Sequence, residues 1–474
     1  MKRLLLCTLL CCSLFSTGVE ASNSPLAFSL HKLGSGKGGN TVLVVGGIQG
    51  DEPGGFHAAS LLITNYTIED GNVWVVPNLN FPSIVSRSRG SNGDLNRKFA
   101  TIAATDPDLE VIERIKSIIV NPQVNMVLNL HDGSGYYREK HQDDMHGPHR
   151  WGQSVIIDQE HIDAGQFTNL GDIARDILKT VNKGQGSKTT YSLKNTKTGE
   201  GDVEMAKSLT YFAINQRKAA FGIEASKSLN KAARVCSHLR VIEAFMRYAG
   251  IRFKRNFSLD VVSVERAMSS NRQIAFYDNR VYLGMENIRN QVSYFPVSRK
   301  RILDFATWNP LITVVPSSNQ KLDVFHGNEK ITTLLPEYFD VDEAAEHPPK
   351  VRFLVDGQAV DAAMGQVIRA KKQISVVPLK GYRVNFIGFS QPGTRDEAGI
   401  TIKKEDFVKS YSLNTKGNIF RAEFYRADPK TSSEKFAGMI NISFSDDNTG
   451  TQVAAAMLPS SEIIREATIP ETKK

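Results

Sequence analysis

Five consecutive apolar or β-branched residues, Thr41 to Val45, run straight into the turn Gly46-Gly47-Ile48-Gln49-Gly50-Asp51-Glu52-Pro53. An unbroken run of that kind suits a strand covered on both faces, the environment of a parallel sheet. Paired glycines then let the chain turn where side chains would crowd it. Pro53 suits the first turn of a helix over Gly54–Asn65, because its missing N–H would have had no partner there. Gln49, Asp51 and Glu52 therefore fall between a strand and a helix, where open α/β sheets place their ligands.

The same alternation continues from Ala27 to about Phe253. Further strands are expected at Val73–Pro77, Val124–Leu130, Ser154–Asp158 and Ala220–Ala225, and further helices at Leu109–Val120, Leu170–Val181 and Asn230–Gly250. In the first of these helices Leu109, Ile112, Ile115 and Ile119 recur at helical spacing. The fold class is α/β, a mostly parallel or mixed twisted sheet flanked by helices. Gly184 to Asp202, rich in Gly, Ser, Thr and Lys, reads as a surface loop. From about Asn256 the pattern changes to short strands between turn residues, with a linker at Pro348-Pro349, so two smaller all-β domains follow. The second has strands spaced as in a small Ig-like sandwich. The expected boundaries are a leader over 1–21, an α/β domain over 22–253, β domains over 254–347 and 348–459, and a polar tail over 460–474.

Lys2 and Arg3 precede an apolar run, Leu4 to Phe15, and Val19-Glu20-Ala21 approximates a small-x-small cleavage pattern, so the leader reads as a signal peptide. Three of the four cysteines lie inside it, leaving Cys236 alone in the mature chain, on the apolar face of a helix. An exported chain with no intrachain disulfide to make fits a bacterial periplasm. No later apolar run reaches membrane-spanning length. With 58 basic and 50 acidic residues the formal charge is +8, spread along the chain without a basic-aromatic block. Nucleic acid is therefore not the expected partner; an anionic polymer or acidic small ligand fits better.

The chemistry concentrates in four segments. Gln49 and Glu52 lie three apart on a tight loop, and His131 ends an apolar strand in Asn129-Leu130-His131-Asp132. An amide oxygen, a carboxylate and an imidazole make a three-ligand set with one position left open, as catalytic zinc sites have. Glu224, in Phe221-Gly222-Ile223-Glu224-Ala225, is a carboxylate in an apolar run that needs a partner or a task. Arg89, Asn96 and Arg97 fall in one segment, and the two arginines offer donors suited to a carboxylate. Each has a plainer reading: Glu52 as a helix-start acid, His131 as an ordinary hydrogen-bonded histidine, Asp132 as a turn residue, Glu224 as the ion-pair partner of Lys227. His141, Asp143, Asp144, His146 and His149 cluster between Arg138 and Trp151, but their spacing fits no standard metal site and suits the mouth of a cleft.

In order, QGDE, then DLNRKF, NLHDG and GIEAS resemble the zinc metallocarboxypeptidases and their aspartoacylase and succinylglutamate desuccinylase cousins, over roughly Asn40 to Gly250. The usual first ligand there is the histidine of an H-x-x-E pair; Gln49 stands in its place. With two β domains attached, the chain resembles the periplasmic peptidoglycan DL-carboxypeptidases that determine helical cell shape, where glutamine serves as a zinc ligand. The resemblance implies Zn2+ held by Gln49, Glu52 and His131, with Glu224 as general base. It implies Arg89 at the scissile carbonyl and Asn96 with Arg97 at the terminal carboxylate. The tyrosine that many relatives place over the substrate has no clear counterpart. The implied substrate is a peptidoglycan muropeptide tripeptide, trimmed to the dipeptide by release of meso-diaminopimelate. The β domains either bind murein or cell-shape protein partners or simply brace the catalytic domain, and composition does not decide between these. A zinc deacylase of N-acyl amino acids and a non-catalytic murein-binding scaffold with a degenerate metal site are the alternative readings.

Overall fold

The computed structural model describes residues 24–454 apart from positions 35, 37, 164, 187–188, 343–348, 428–432 and 446–452. The expected leader 1–21, the tail 460–474 and Pro348 of the expected linker lie outside the described residues. Seven strands form the first sheet: β1 (His31–Gly34), β2 (Thr41–Val45), β3 (Asn72–Val76), β4 (Val124–Gly133), β5 (Ser154–Ile157), β6 (Ser192–Asn195) and β7 (Ala219–Ser226). Their spatial order is β1-β3-β2-β4-β7-β5-β6. The inner run β3-β2-β4-β7 is parallel, while β1 and β5 join antiparallel, so the sheet is mixed. Helices α1 (Pro53–Asn65), α2 (Leu109–Val120), α3 (Leu170–Val181) and α4 (Lys231–Tyr248) cover it.

β2 and β3 are buried at every position, as strands covered on both faces must be. Val42–Val45, Val73–Val76, Val127, Leu128, Phe221 and Ile223 form the centre of one continuous core with Leu62, Ile115, Leu239 and Phe245 from the helices. Gly50 is required by close packing rather than by its own conformation. A Cβ there would lie 2.0 Å from the carbonyl of Ser83, so the ligand-side loop can rest directly on the helix Phe81–Ser86. The expected surface loop Gly184–Asp202 instead contains β6, an edge strand parallel to β5. Its residues Ser-Leu-Lys-Asn are all half-buried, so the sequence shows no alternation to betray it.

Two two-stranded sheets, Tyr66–Asp70 with Arg252–Arg255 and Tyr136–Tyr137 with His146–Gly147, accompany the seven-stranded one, and among the described residues after Ser269 the sheets carry no α-helix. A three-stranded and a four-stranded sheet occupy residues 273–339, and a four-stranded and a five-stranded sheet occupy 351–454. Phe353, Ile368, Ile374, Phe386, Phe420, Phe424 and Ile440 fill the space between the latter pair. The core under the preceding sheets also takes in Leu413, Tyr425, Phe436 and Met439, so the two β regions share apolar side chains. A second seam joins the β region to α1. Phe56 packs with Phe81, Ile84 and Leu311, and the rings of His57 and His326 meet at 5.1 Å. Asn309 links Ser60 (3.0 Å) to His326 (3.2 Å), and a Cβ on Gly327 would strike Phe56 at 2.8 Å. Burial holds both imidazoles below their ordinary range, His326 at about 3. Among the described residues no helix is long and apolar enough to cross a membrane.

Candidate active site

The C-terminal ends of β2, β4 and β7 carry the candidate side chains. β4 and β7 are in parallel register with His131 beside Glu224, so the two project from neighbouring positions on one face. The β2–α1 loop brings up Gln49 and Glu52. The Nδ1 of His131 lies 3.1 Å from Gln49 Oε1 and 3.1 Å from Glu52 Oε2, and all three residues are buried. One ring proton cannot satisfy two oxygen acceptors well, yet the spacing is close to the edge, about 3.3 Å, of a tetrahedron of ligands with bonds near 2 Å. The donor set therefore fits a divalent metal. Among the described residues no group of three His, Cys, Asp or Glu side chains could hold a metal; the trio reaches three donors only through the amide of a glutamine.

Neighbours fix each of the three. The amide of Gln49 donates to Asp94 Oδ1 at 2.9 Å, which turns Oε1 towards His131. Asp94 is itself gripped by Arg89 through Nε at 3.0 Å and Nη2 at 2.9 Å. Burial would raise the Asp94 carboxyl, but these partners hold it below its ordinary value. Glu52 makes no side-chain cap for α1. Instead its Oε2 accepts the backbone N–H of Asp132 at 3.1 Å, and Gly54 N–H, at the start of α1, donates to Asp132 Oδ2 at 2.8 Å. Arg234 (2.8 Å) and His238 (3.1 Å) from α4 complete the surroundings of Asp132. They outweigh its burial and keep its carboxyl depressed. Asp132 is thus no turn residue but a buried anchor tying β4, α1 and α4 together, a role the sequence offered only as the second letter of HDG.

Glu224 is buried, and no described side chain hydrogen-bonds to it. Burial pushes its carboxyl up to about 8, His131 pulling against the rise and the Glu52 and Asp132 carboxylates adding to it. A carboxyl so held exchanges protons near neutral pH, as a general base must. Gly133 makes room for it, since a Cβ there would meet Glu224 Oε2 at 2.7 Å. Burial would lower the His131 imidazole, but the Glu52, Glu224 and Asp94 carboxylates raise it overall. Lys227 does not pair with Glu224; it reaches Asp51 at 3.2 Å and Glu52 at 3.5 Å.

Arg89 is half-exposed and lies 3.6 Å from Glu52 Oε1, at the rim of the trio. Asn96 approaches His131 Nε2 at 3.5 Å and accepts from the N–H of Leu209 at 2.9 Å. Arg97 is turned outwards, bonding the carbonyl of Asn96 (2.9 Å) and facing Glu204 at 3.6 Å. In the histidine-rich segment, Asp143 and His146 pair at 2.8 Å and His146 stacks on Tyr136. Tyr191 is buried in the core, and Cys236 is a buried free thiol.

Comparison with known proteins gives a consistent result. A family profile described as carboxypeptidase controlling helical cell shape, catalytic, matches residues 1–269. One for the C-terminal domain of metallo-carboxypeptidase matches 344–445. Among solved structures, the product-bound cell shape determinant protein Csd4 from Helicobacter pylori is 35% identical with a TM-score of 0.80, covering 88% of this chain and 100% of that one. The tripeptide-bound form of the same protein matches with the same identity, coverage and TM-score. The mDAP-bound form, described as a D,L-carboxypeptidase, is 37% identical with a TM-score of 0.79 over 86% of this chain and 97% of that one. No curated protein sequence matches significantly.

Proposed function

The chain belongs to the family of carboxypeptidases controlling helical cell shape, and from that premise we propose that it is a zinc-dependent D,L-carboxypeptidase of the periplasm. Its substrate in this reading is the muropeptide tripeptide, from which it releases the terminal meso-diaminopimelate and leaves the dipeptide. The observation that carries the reading is the meeting of Gln49 Oε1, Glu52 Oε2 and His131 Nδ1 within 3.1 Å contacts, with Glu224 on the adjoining strand.

In this reading Gln49, Glu52 and His131 hold Zn2+, which when bound supplies Lewis acidity to stabilise negative charge on oxygen. Glu224 takes the proton of the water that attacks the scissile carbonyl and delivers it to the departing amino group. Arg89, on the solvent side of Asp94, faces the carbonyl oxygen as negative charge builds there. Asn96 receives the terminal carboxylate with Arg97, which must leave Glu204 to do so. That exposed pairing, at 3.6 Å, is weak enough to exchange for a substrate carboxylate. The leader directs export, and the β region meets murein or a cell-shape partner.

The deciding experiment is mass analysis of the products from a tripeptide muropeptide, with and without a chelator. Release of diaminopimelate that stops on chelation supports the proposal. Turnover of N-acyl amino acids alone, or binding with no turnover, would sink it.

A further inference from the structure

One cation beside the candidate site is used by none of the roles above. Lys194 lies on β6 opposite Ile156, and the strand register puts it on the sheet face that also carries His131 and Glu224. Its ammonium sits 4.3 Å from the ring centre of Tyr137 and 4.3 Å from that of Trp151, and donates to the carbonyl of Pro148 at 3.0 Å. Among the described residues no carboxylate stands within ion-pairing distance of it. Burial lowers its pKa, and the charge that opposes this is Glu224, a sign of how near the two lie.

The walls around this ammonium are built rather than accidental. The N–H of Trp151 donates to Ser134 O at 3.1 Å, and that of Tyr137 to Gly152 O at 2.8 Å. The hydroxyl of Ser154 holds the Trp151 carbonyl at 2.6 Å. Gln153, between Trp151 and Ser154, adopts a left-handed conformation with φ 50°, which a non-glycine residue keeps only where its surroundings impose it. Two aromatic faces attract a cation but carry no formal charge, so a half-buried ammonium held this way still lacks an anion.

We propose that Lys194 is a specificity residue that pairs with a second carboxylate of the peptide substrate, distinct from the terminal one assigned to Asn96 and Arg97. This rests on the peptidase reading and deepens it. Two groups of the tripeptide have the required chemistry. One is the distal carboxylate of diaminopimelate; the other is the α-carboxylate that a γ-linked glutamate leaves free beside the scissile amide.

The test compares kcat/KM for three peptides on the full-length metal-loaded enzyme: the parent tripeptide, one with lysine replacing diaminopimelate, and one with isoglutamine replacing glutamate. Wild type should prefer the parent over one analogue by roughly tenfold to a hundredfold, the worth of a charge-assisted hydrogen bond. The analogue that suffers identifies which carboxylate is read. In Lys194→Met, whose side chain still fills the space between the rings, that ratio should collapse towards one, while Lys194→Arg should keep it. If wild type shows no preference, or Lys194→Met slows all three peptides by the same factor, Lys194 merely clamps the loop and the proposal is overturned. Turnover of none of the three by wild type would instead remove the underlying peptidase reading.

Discussion

Around Glu224 the carboxylates of Glu52 and Asp132 crowd a buried acid to which no described side chain hydrogen-bonds, and its carboxyl rises to about 8. Around Glu423, in the β region, the same residue type is buried more deeply, 1% exposed against 8%, but saturated. Arg421 donates to one oxygen at 2.6 Å and the hydroxyl of Tyr425 to the other at 2.6 Å, with Arg421 also bonding the carbonyls of Ser293 and Tyr294. Both members of the Arg421–Glu423 pair are 1% exposed. A satisfied buried charge holds structure and offers nothing to a ligand. An unsatisfied one is maintained at the expense of stability and stays available for proton transfer. The contrast separates scaffold from chemistry without appeal to any motif.

Replacing each acid's environment tests that contrast directly. Glu224→Gln should lower kcat by about 10²- to 10⁴-fold, the usual contribution of a general base. The same variant should raise the melting temperature of the metal-free protein at pH 8; activity that survives would remove Glu224 from the mechanism. Arg421→Met strands Glu423 without its cation and should cost about 3–5 kcal/mol in a denaturant titration. Because Arg421 touches nothing in the candidate site, kcat/KM of the folded fraction should not change. A milder effect is expected from Asp94→Asn, which weakens the hold on the Gln49 amide. Metal affinity measured by chelator competition should fall by about 10- to 100-fold, and an unchanged affinity would mean Gln49 is oriented by something else.

The smallest effect is a slope. Burial raises Glu224 from its ordinary 4.5 to about 8, so the folded metal-free chain keeps a proton that the unfolded chain has released. Stabilisation present below about pH 4.5 is therefore lost as pH climbs to about 8, at up to about 1.4 kcal/mol per unit. His131, also raised, acts in the same sense. Thermal melts of metal-free wild type across this window should fall with pH, and those of Glu224→Gln should fall less; parallel curves would rule out Glu224 as the source of the slope.

Much of the α/β region was legible because its signals are local. α2 and α3 begin and end where their apolar spacing predicted, at Leu109–Val120 and Leu170–Val181. Thr41–Val45 declared a doubly covered strand by its unbroken run of apolar and β-branched residues. The side chains Gln49, Glu52, His131 and Glu224 could be gathered because each sits at a strand end or in the loop after one, and parallel strands bring such ends together. What stayed hidden depends on partners remote in sequence. Asp132 is defined by Arg234 and His238, about a hundred residues away. β6 is a strand only because β5 lies beside it. Leu413 and Phe436 look like members of the last sheet pair, yet join the core of the preceding one, a choice that no local periodicity encodes.

The seam where His57 and His326 meet ties the hydrolase to the β region downstream. α1 starts at the residue after Glu52 and presses Phe56 and Ser60 against Leu311 and Asn309, so the helix that aims a candidate ligand leans on that region. A chain cut after residue 269 would bare that phenylalanine to water and leave the serine hydroxyl without its amide. The β region that carries Asn309, Leu311 and His326 is therefore not a detachable handle on a self-sufficient enzyme; it is a buttress, and grafting the first half onto another carrier would require rebuilding that support.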